Sequence, residues 1–279
     1  MEILTIVLSS ILSLASGGGL ILDRLISKNL RSQVVGVEQQ AIRLDNVPSY
    51  QIVGGKLQRI RVSTKGITLK PNLRIETLEL ETDPINLDRK KLNLDNLEQF
   101  KAALKQPLQG AAKIVLTEAD LNRALQSPEI RAQIEQTLNR LIARKAGSSN
   151  ISYHLFEPRV ELSPDNRLGI QFKLRRSQGK PSLNATGSEL AISLALKLDI
   201  VNGKQLRLID PQGTVNQRPM SSRLLKGFAQ GISDRFDLSD LEADGILARL
   251  LQLKIDEDKI ELAGFARMET KEAQMSSIK

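Results

Sequence analysis

Between Ser49 and Asp88 apolar and charged residues alternate with a period of two, and that pattern limits what the chain can fold into more than any other feature. Ile60 and Val62 alternate with Arg59 and Arg61, and Leu78 and Leu80 with Glu79 and Glu81. A period of two gives each strand one dry face and one wet face. Turn residues fall at Gly54-Gly55, Lys65-Gly66, Pro71-Asn72 and Asp83-Pro84, so the segment is expected to be an antiparallel meander.

Elsewhere in the chain the period changes. Leu22, Ile26, Leu30 and Val34 recur every four residues and predict an amphipathic helix. Leu97, Phe100 and Leu104 mark a short helix ending before Pro107. Thr117 is placed to cap a helix bearing Leu121, Ala124 and Leu125, with Asp120 reaching back as in a capping box. Ser127 and Pro128 open another, with a stripe of Ile130, Ile134, Leu138, Leu141 and Ile142, stopped by Gly147. Strand periodicity returns in Leu168, Ile170, Phe172 and Leu174, and most strongly from Ile192 to Ile200. Asn202-Gly203 then predicts a two-residue hairpin returning through Leu206 and Leu208. A helix is expected from about Pro219, with Leu224, Leu225, Phe228, Ile232 and Phe236 on one side. Leu251, Leu253 and Ile255 pair with Ile260 and Leu262 in a last hairpin. Strands joined by short turns rather than by helical crossovers indicate an α+β fold with a curved, mainly antiparallel sheet rolled against amphipathic helices. The expected division is an apolar segment at 1–22, one domain at 23–268 and a polar tail at 269–279.

With aromatic residues at 3% and no Trp, the core is aliphatic. The absence of cysteine removes disulfides, thiolate metal sites and a cysteine nucleophile. A formal charge of +8 points to an anionic partner, either lipid or nucleic acid. Residues 3–22 hold no charge, and 12 of those 20 positions are apolar. Three readings fit: a signal peptide, an uncleaved anchor, or a buried helix joined through Gly17-Gly18-Gly19 to the next. Arg24, Lys28 and Arg31 after an uncleaved span favour a cytoplasmic domain, whereas a signal peptide places it outside.

Catalytic patterns are weak. His154, the single histidine, lies in a strand pattern, and no G-x-S-x-G elbow accompanies it. Asp256-Glu257-Asp258 lacks the alternating ligands and turn glycine of a calcium loop and reads as a hairpin tip. Neither Gly17-Gly18-Gly19 nor Gly54-Gly55 is followed by Lys-Ser/Thr, so they are not phosphate loops. No enzyme activity, metal or cofactor is expected. Basic clusters at Arg59/Arg61/Lys65, Arg89/Lys90/Lys91 and Arg175/Arg176 have no aromatic platforms for stacking bases, so no nucleic-acid partner is expected.

The runs PSYQIVGGKLQRIRVSTKGI, RIETLELETDPINLD and above all LTEADLNRALQSP resemble the LmeA-like phospholipid-binding family, in its cyanobacterial type. The likeness extends from the N-terminal apolar stretch to the last hairpin. It departs at Lys65, where the family pattern leads one to expect arginine before the glycine; lysine keeps the charge and loses the bidentate fork. The resemblance implies a membrane-associated lipid-binding role in the cell envelope, outside the cytoplasm. It also implies a fold similar to the tubular lipid-binding superfamily, a bent sheet around an apolar cavity. On that reading Leu168, Ile170, Phe172, Ile192, Leu194 and Leu196 line a groove for the acyl chains of a phospholipid, or else are plain core. Arg59, Arg61, Lys65, Arg175 and Arg176 would attract an anionic headgroup or the membrane. The alternative is a non-catalytic interaction domain with a filled core that binds another envelope protein; the sequence identifies no such partner.

Overall fold

A computed structural model of the chain describes residues 34–45, 55–69, 73–88, 90–91, 97–146, 152–177, 189–271 and 273. The expected N-terminal apolar segment, most of the helix expected after it, and the Pro71-Asn72 and Gly147 stop signals lie outside the described residues. In chain order the first elements are β1 (Val34–Asp45), β2 (Lys56–Leu57), β3 (Arg59–Leu69), β4 (Leu73–Thr82), β5 (Ile85–Asn86), α1 (Leu97–Ala103) and β6 (Leu108–Thr117). Next come α2 (Glu118–Leu125), α3 (Pro128–Ala146), β7 (Ser152–Ser163), β8 (Arg167–Ser177), β9 (Glu189–Val201) and β10 (Gln205–Val215). The chain closes through β11 (Arg218–Pro219), α4 (Ser222–Ser233), two 3-10 turns (Asp234–Phe236 and Leu238–Asp244), β12 (Ile246–Ile255) and β13 (Lys259–Met268).

The strands make two large antiparallel sheets and a small β2-β5 pair. In the six-stranded sheet the order is β1-β3-β4-β6-β13-β12. The alternation read between Arg59 and Glu81 is realised: Ile60, Val62 and Leu78 are buried, while Val62 pairs with Leu80 and Arg61 with Glu81. β1, by contrast, is a strand that the sequence pattern did not announce, and Val34 begins it rather than ending a helix. Nor is Lys65-Gly66 a turn. β3 runs straight through it, because Gly66 takes a φ of 64°, and the Glu38 carboxylate fills the space where a side chain would stand.

The five-stranded sheet has the order β11-β10-β9-β8-β7. Asn202 and Gly203 both adopt positive φ, as their sequence predicts, yet the loop holds one residue more than expected, since Val201 pairs with Gln205. Helix α4 begins at Ser222 rather than Pro219, because Arg218 and Pro219 pair with β10 and Ser221 supplies the cap. Leu225, Ala229 and Ile232 form its packed side; Leu224 and Phe236 are exposed, the latter in the 3-10 turn beyond the helix.

The sheets meet where the hairpin turns of the second reach the β12 edge of the first. Asn166 accepts from the Ile255 N–H at 2.8 Å, and Leu250 N–H donates to Gly203 O at 2.7 Å. Ile255 is buried among Leu162, Leu196, Leu198 and Leu208 and so joins both sheets to one core. A second core, Ile60, Val62, Phe100, Leu104, Ile246 and Met268, lies beneath α1. In the closing hairpin Leu253 and Ile255 pair with Leu262 and Ile260 as expected, but Leu251 sits at a register shift and is 63% exposed.

Candidate functional site

The six residues expected to line a groove fall on neighbouring strands as three direct pairs. Leu168 faces Leu196, Ile170 faces Leu194 and Phe172 faces Ile192 across β8 and β9. The rungs differ in burial. Leu194 and Leu196 are 6% and 4% exposed, whereas Leu168, Ile170, Phe172 and Ile192 are half-buried. Leu168, Ile170 and Leu196 belong to the packed core with Ala229 and Ile255. Phe172 and Ile192 form the rung farthest from that core. The β8–β9 ladder lies between β7, against which α3 packs, and β10, which carries α4. Gly213 leaves room for this meeting of β10 and α4: a side chain there would collide with Leu194 at 2.7 Å and crowd Leu225 and Met220 at 3.0 Å.

The LTEADLNRALQSP run and the helix after it do something that periodicity alone did not suggest. β7 is an edge strand, and its outward N–H and C=O groups are taken up by helix side chains. Asn139 bonds both backbone groups of Tyr153, and Asn122 both groups of Val160. Glu135 accepts from Leu155 N–H while Arg131 donates to Leu155 O. Gln126 donates to Pro158 O, at the bulge where proline is tolerated, and Glu118 accepts from Leu162 N–H. Glu118, Asn122 and Gln126, and then Arg131, Glu135 and Asn139, are spaced by four, so each set forms one helical row. These polar rows act as the missing neighbouring strand and close an edge that would otherwise invite pairing. Ile130, Ile134 and Leu138 form the adjacent row on α3 and are half-buried.

Thr117 caps α2 as expected, accepting from Asp120 N–H at 3.1 Å. The reciprocal half of the capping box is absent. The Asp120 carboxylate instead receives the Thr117 hydroxyl, Arg74 and Arg123. Arg74 also forks onto Glu38 through two bonds of 2.9 Å and reaches Glu76 at 2.6 Å. This guanidinium holds Glu38 below the usual carboxylate range. Lys113 and Lys259 similarly hold the Glu261 carboxyl down at about 2.

The expected headgroup residues are not brought together. Arg59, Arg61 and Lys65 lie on the first sheet, with Arg59 and Arg61 both paired to Glu81. Arg61 borders a depression of about 490 Å³ on that sheet, whose other members include Arg43, Lys113, Glu79, Glu81 and Ala111. Its charges are of both signs, which suits no single anion. Arg175 and Arg176 are on β8 of the second sheet. Arg175 stacks over Phe156 at 4.5 Å and bonds Glu189 at 3.1 Å. Arg176 is exposed and, by the strand alternation, shares the face of Phe172 and Leu174 beyond the apolar rungs. Of the third basic cluster, Lys90 and Lys91 are exposed on a turn and Arg89 lies outside the described residues.

His154 is 57% exposed and stands 3.5 Å from Glu135. Asp256 pairs with Lys254, and the Asp258 carbonyl accepts from Glu118 N–H, so this acidic tip is tied to the start of α2. Among the described residues no group of three His, Asp or Glu side chains is arranged to hold a metal ion. Among them, too, no helix is long and apolar enough to cross a membrane.

A model of the LmeA-like phospholipid-binding family matches residues 14–265, most of the chain. The chain matches none of the curated proteins with which it was compared.

Proposed function

Because the chain belongs to the LmeA-like phospholipid-binding family, we propose that it holds a phospholipid by its acyl chains over the β8–β9 ladder. The observation that carries this reading is the pairing of Leu168, Ile170 and Phe172 with Leu196, Leu194 and Ile192 as one apolar floor, half-buried at its Phe172–Ile192 end. Each methylene taken from water onto such a floor is worth ~0.8 kcal/mol, so ten buried carbons supply ~8 kcal/mol toward the cost of leaving a bilayer. Arg176, beyond the last rungs, is placed to meet an anionic headgroup. Arg59, Arg61 and Lys65 lie on the other sheet and act at the membrane surface rather than on this floor.

In this reading residues 23–268 work as one lipid-holding unit related to the tubular lipid-binding superfamily. Residues 1–22 direct it to the membrane of the cell envelope, on the extracytoplasmic side. The role is carriage or holding rather than turnover.

Ile192→Arg tests the floor, because Ile192 is only half-buried and its replacement leaves the Leu196–Ile255 core untouched. Losing contact with two methylenes alone is worth ~1.6 kcal/mol. The variant should therefore keep its circular dichroism and carry roughly tenfold less co-extracted phospholipid. Equal lipid in variant and wild type would refute the floor and favour the other reading, a filled-core domain that binds an envelope protein. What speaks for that reading is the packing of Leu168, Ile170 and Leu196 against α4 and Ile255.

A further inference from the structure

Helix α4 has one packed side and one side that nothing described covers. Asp210 and Asp234 bound a stretch, 211–233, without a single acidic residue, and it carries Arg218, Arg223 and Lys226. All three are exposed, and among the described residues none of them forms an ion pair. That sets them apart from Arg59, Arg61 and Arg175, whose charges are met by Glu81 and Glu189. Leu224 is 44% exposed, and the helical turn sets it on one flank of Arg223 with Lys226 on the other. On the inner side, Leu225 and Met220 approach the space before Gly213 to 3.0 Å, where the Leu194 side chain also arrives. The helix is thus a thin wall, apolar against the floor and basic with a protruding leucine toward solvent. Beside it a hollow of about 310 Å³ is bordered by Lys226, Arg207, Gln205 and Gln230, with Asp234 as its acidic member.

A helix side that carries cations and, on one flank, an exposed aliphatic side chain matches the boundary between headgroups and acyl chains, where apolar burial and attraction to anionic lipid act together. We propose that the outer face of α4 is the surface on which the protein rests on an anionic phospholipid bilayer. Leu224 enters the headgroup layer, and Arg218, Arg223 and Lys226 lie against lipid phosphates. The orientation rests on the lipid-holding reading for its purpose, since it sets the wall of the floor against the membrane from which a lipid would come.

The chain has no cysteine, so Leu224→Cys gives one labelling site in the full-length protein. An environment-sensitive dye there should shift to apolar emission with vesicles of phosphatidylcholine and phosphatidylglycerol, and not with phosphatidylcholine alone. The same dye at Gln171→Cys, exposed on the far face of β8, should not respond. Arg223→Gln with Lys226→Gln should move the midpoint to roughly 30-fold more lipid, each basic residue contributing about fivefold near an anionic surface. Added salt should weaken the signal. A silent dye at position 224 on protein that sediments with the vesicles, or an equal response at position 171, would overturn the docking face. The two claims separate cleanly. Protein that carries phospholipid while position 224 stays silent loses only the docking face; protein without lipid whose position 224 responds keeps the docking face and loses the lipid-holding role.

Discussion

Asn122 makes the sharpest test of how the β7 edge is held. Its amide donates to Val160 O and accepts from Val160 N–H, both at 2.8 Å, so one side chain satisfies a whole residue of the edge. A hydrogen bond of this kind contributes about 1 kcal/mol net, which gives about 2 kcal/mol for Asn122→Ala. In a domain of this size each kcal/mol moves the melting temperature by roughly 2–4 °C. The variant should therefore melt about 4–8 °C lower by circular dichroism. Asn122→Asp keeps the acceptor for Val160 N–H but sets a carboxylate oxygen against Val160 O, and should lose at least as much. Gln136, exposed on α3 and outside the polar row, provides the control: Gln136→Ala should stay within ~0.5 kcal/mol of wild type. A melting temperature within about 1 °C of wild type for Asn122→Ala would refute the idea that helix side chains stabilise the edge.

Other substitutions probe separate parts of the molecule. Gly66→Ala places a methyl group on the Glu38 carboxylate at a φ of 64°, and should cost about 2 kcal/mol in urea unfolding through backbone strain and loss of the Arg74 fork; an unchanged midpoint would contradict this. Glu261 is depressed to about 2 by Lys113 and Lys259, against ~4.3 in the unfolded chain. A depressed carboxyl stabilises above its unfolded value and loses that contribution as pH falls through its folded one. The melting deficit of Glu261→Gln should thus be full at neutral pH and vanish between about pH 4 and pH 2; a deficit independent of pH would rule out the ion pairs as its source.

What the sequence made legible was local. Ile60, Val62, Leu168 to Phe172 and Ile192 to Ile200 are strands because period-two burial writes itself into neighbouring residues. That Leu168, Ile170 and Phe172 share one face of β8, and Ile192, Leu194 and Leu196 one face of β9, follows for the same reason; their pairing across the two strands does not. β1 escaped notice because Val34, Val35 and Val37 precede Gln39 and Gln40, with a register shift at Gly36 breaking the alternation. Pairing of β13 with β6, which joins Lys259 to Thr117, depends on contacts far apart in the chain that no local pattern records. The polar rows of α2 and α3 were visible as residues spaced by four, but a polar helical row ordinarily faces water. Only the unpaired edge of β7 gives them another partner. The headgroup residues divided between two sheets for a related reason: alternation puts a side chain on a face and leaves open which sheet the face belongs to.

The most direct measurement is native mass spectrometry of the full-length protein, purified without detergent, beside Ile192→Arg prepared in the same way. Because both proteins carry the same N-terminal apolar segment, lipid retained by that segment alone would appear equally in the two. A stoichiometric phospholipid on the wild type, identified after extraction and reduced roughly tenfold on the variant, is the predicted result. No bound phospholipid on the wild type, even after incubation with anionic vesicles, would contradict the central claim that the β8–β9 floor holds a lipid.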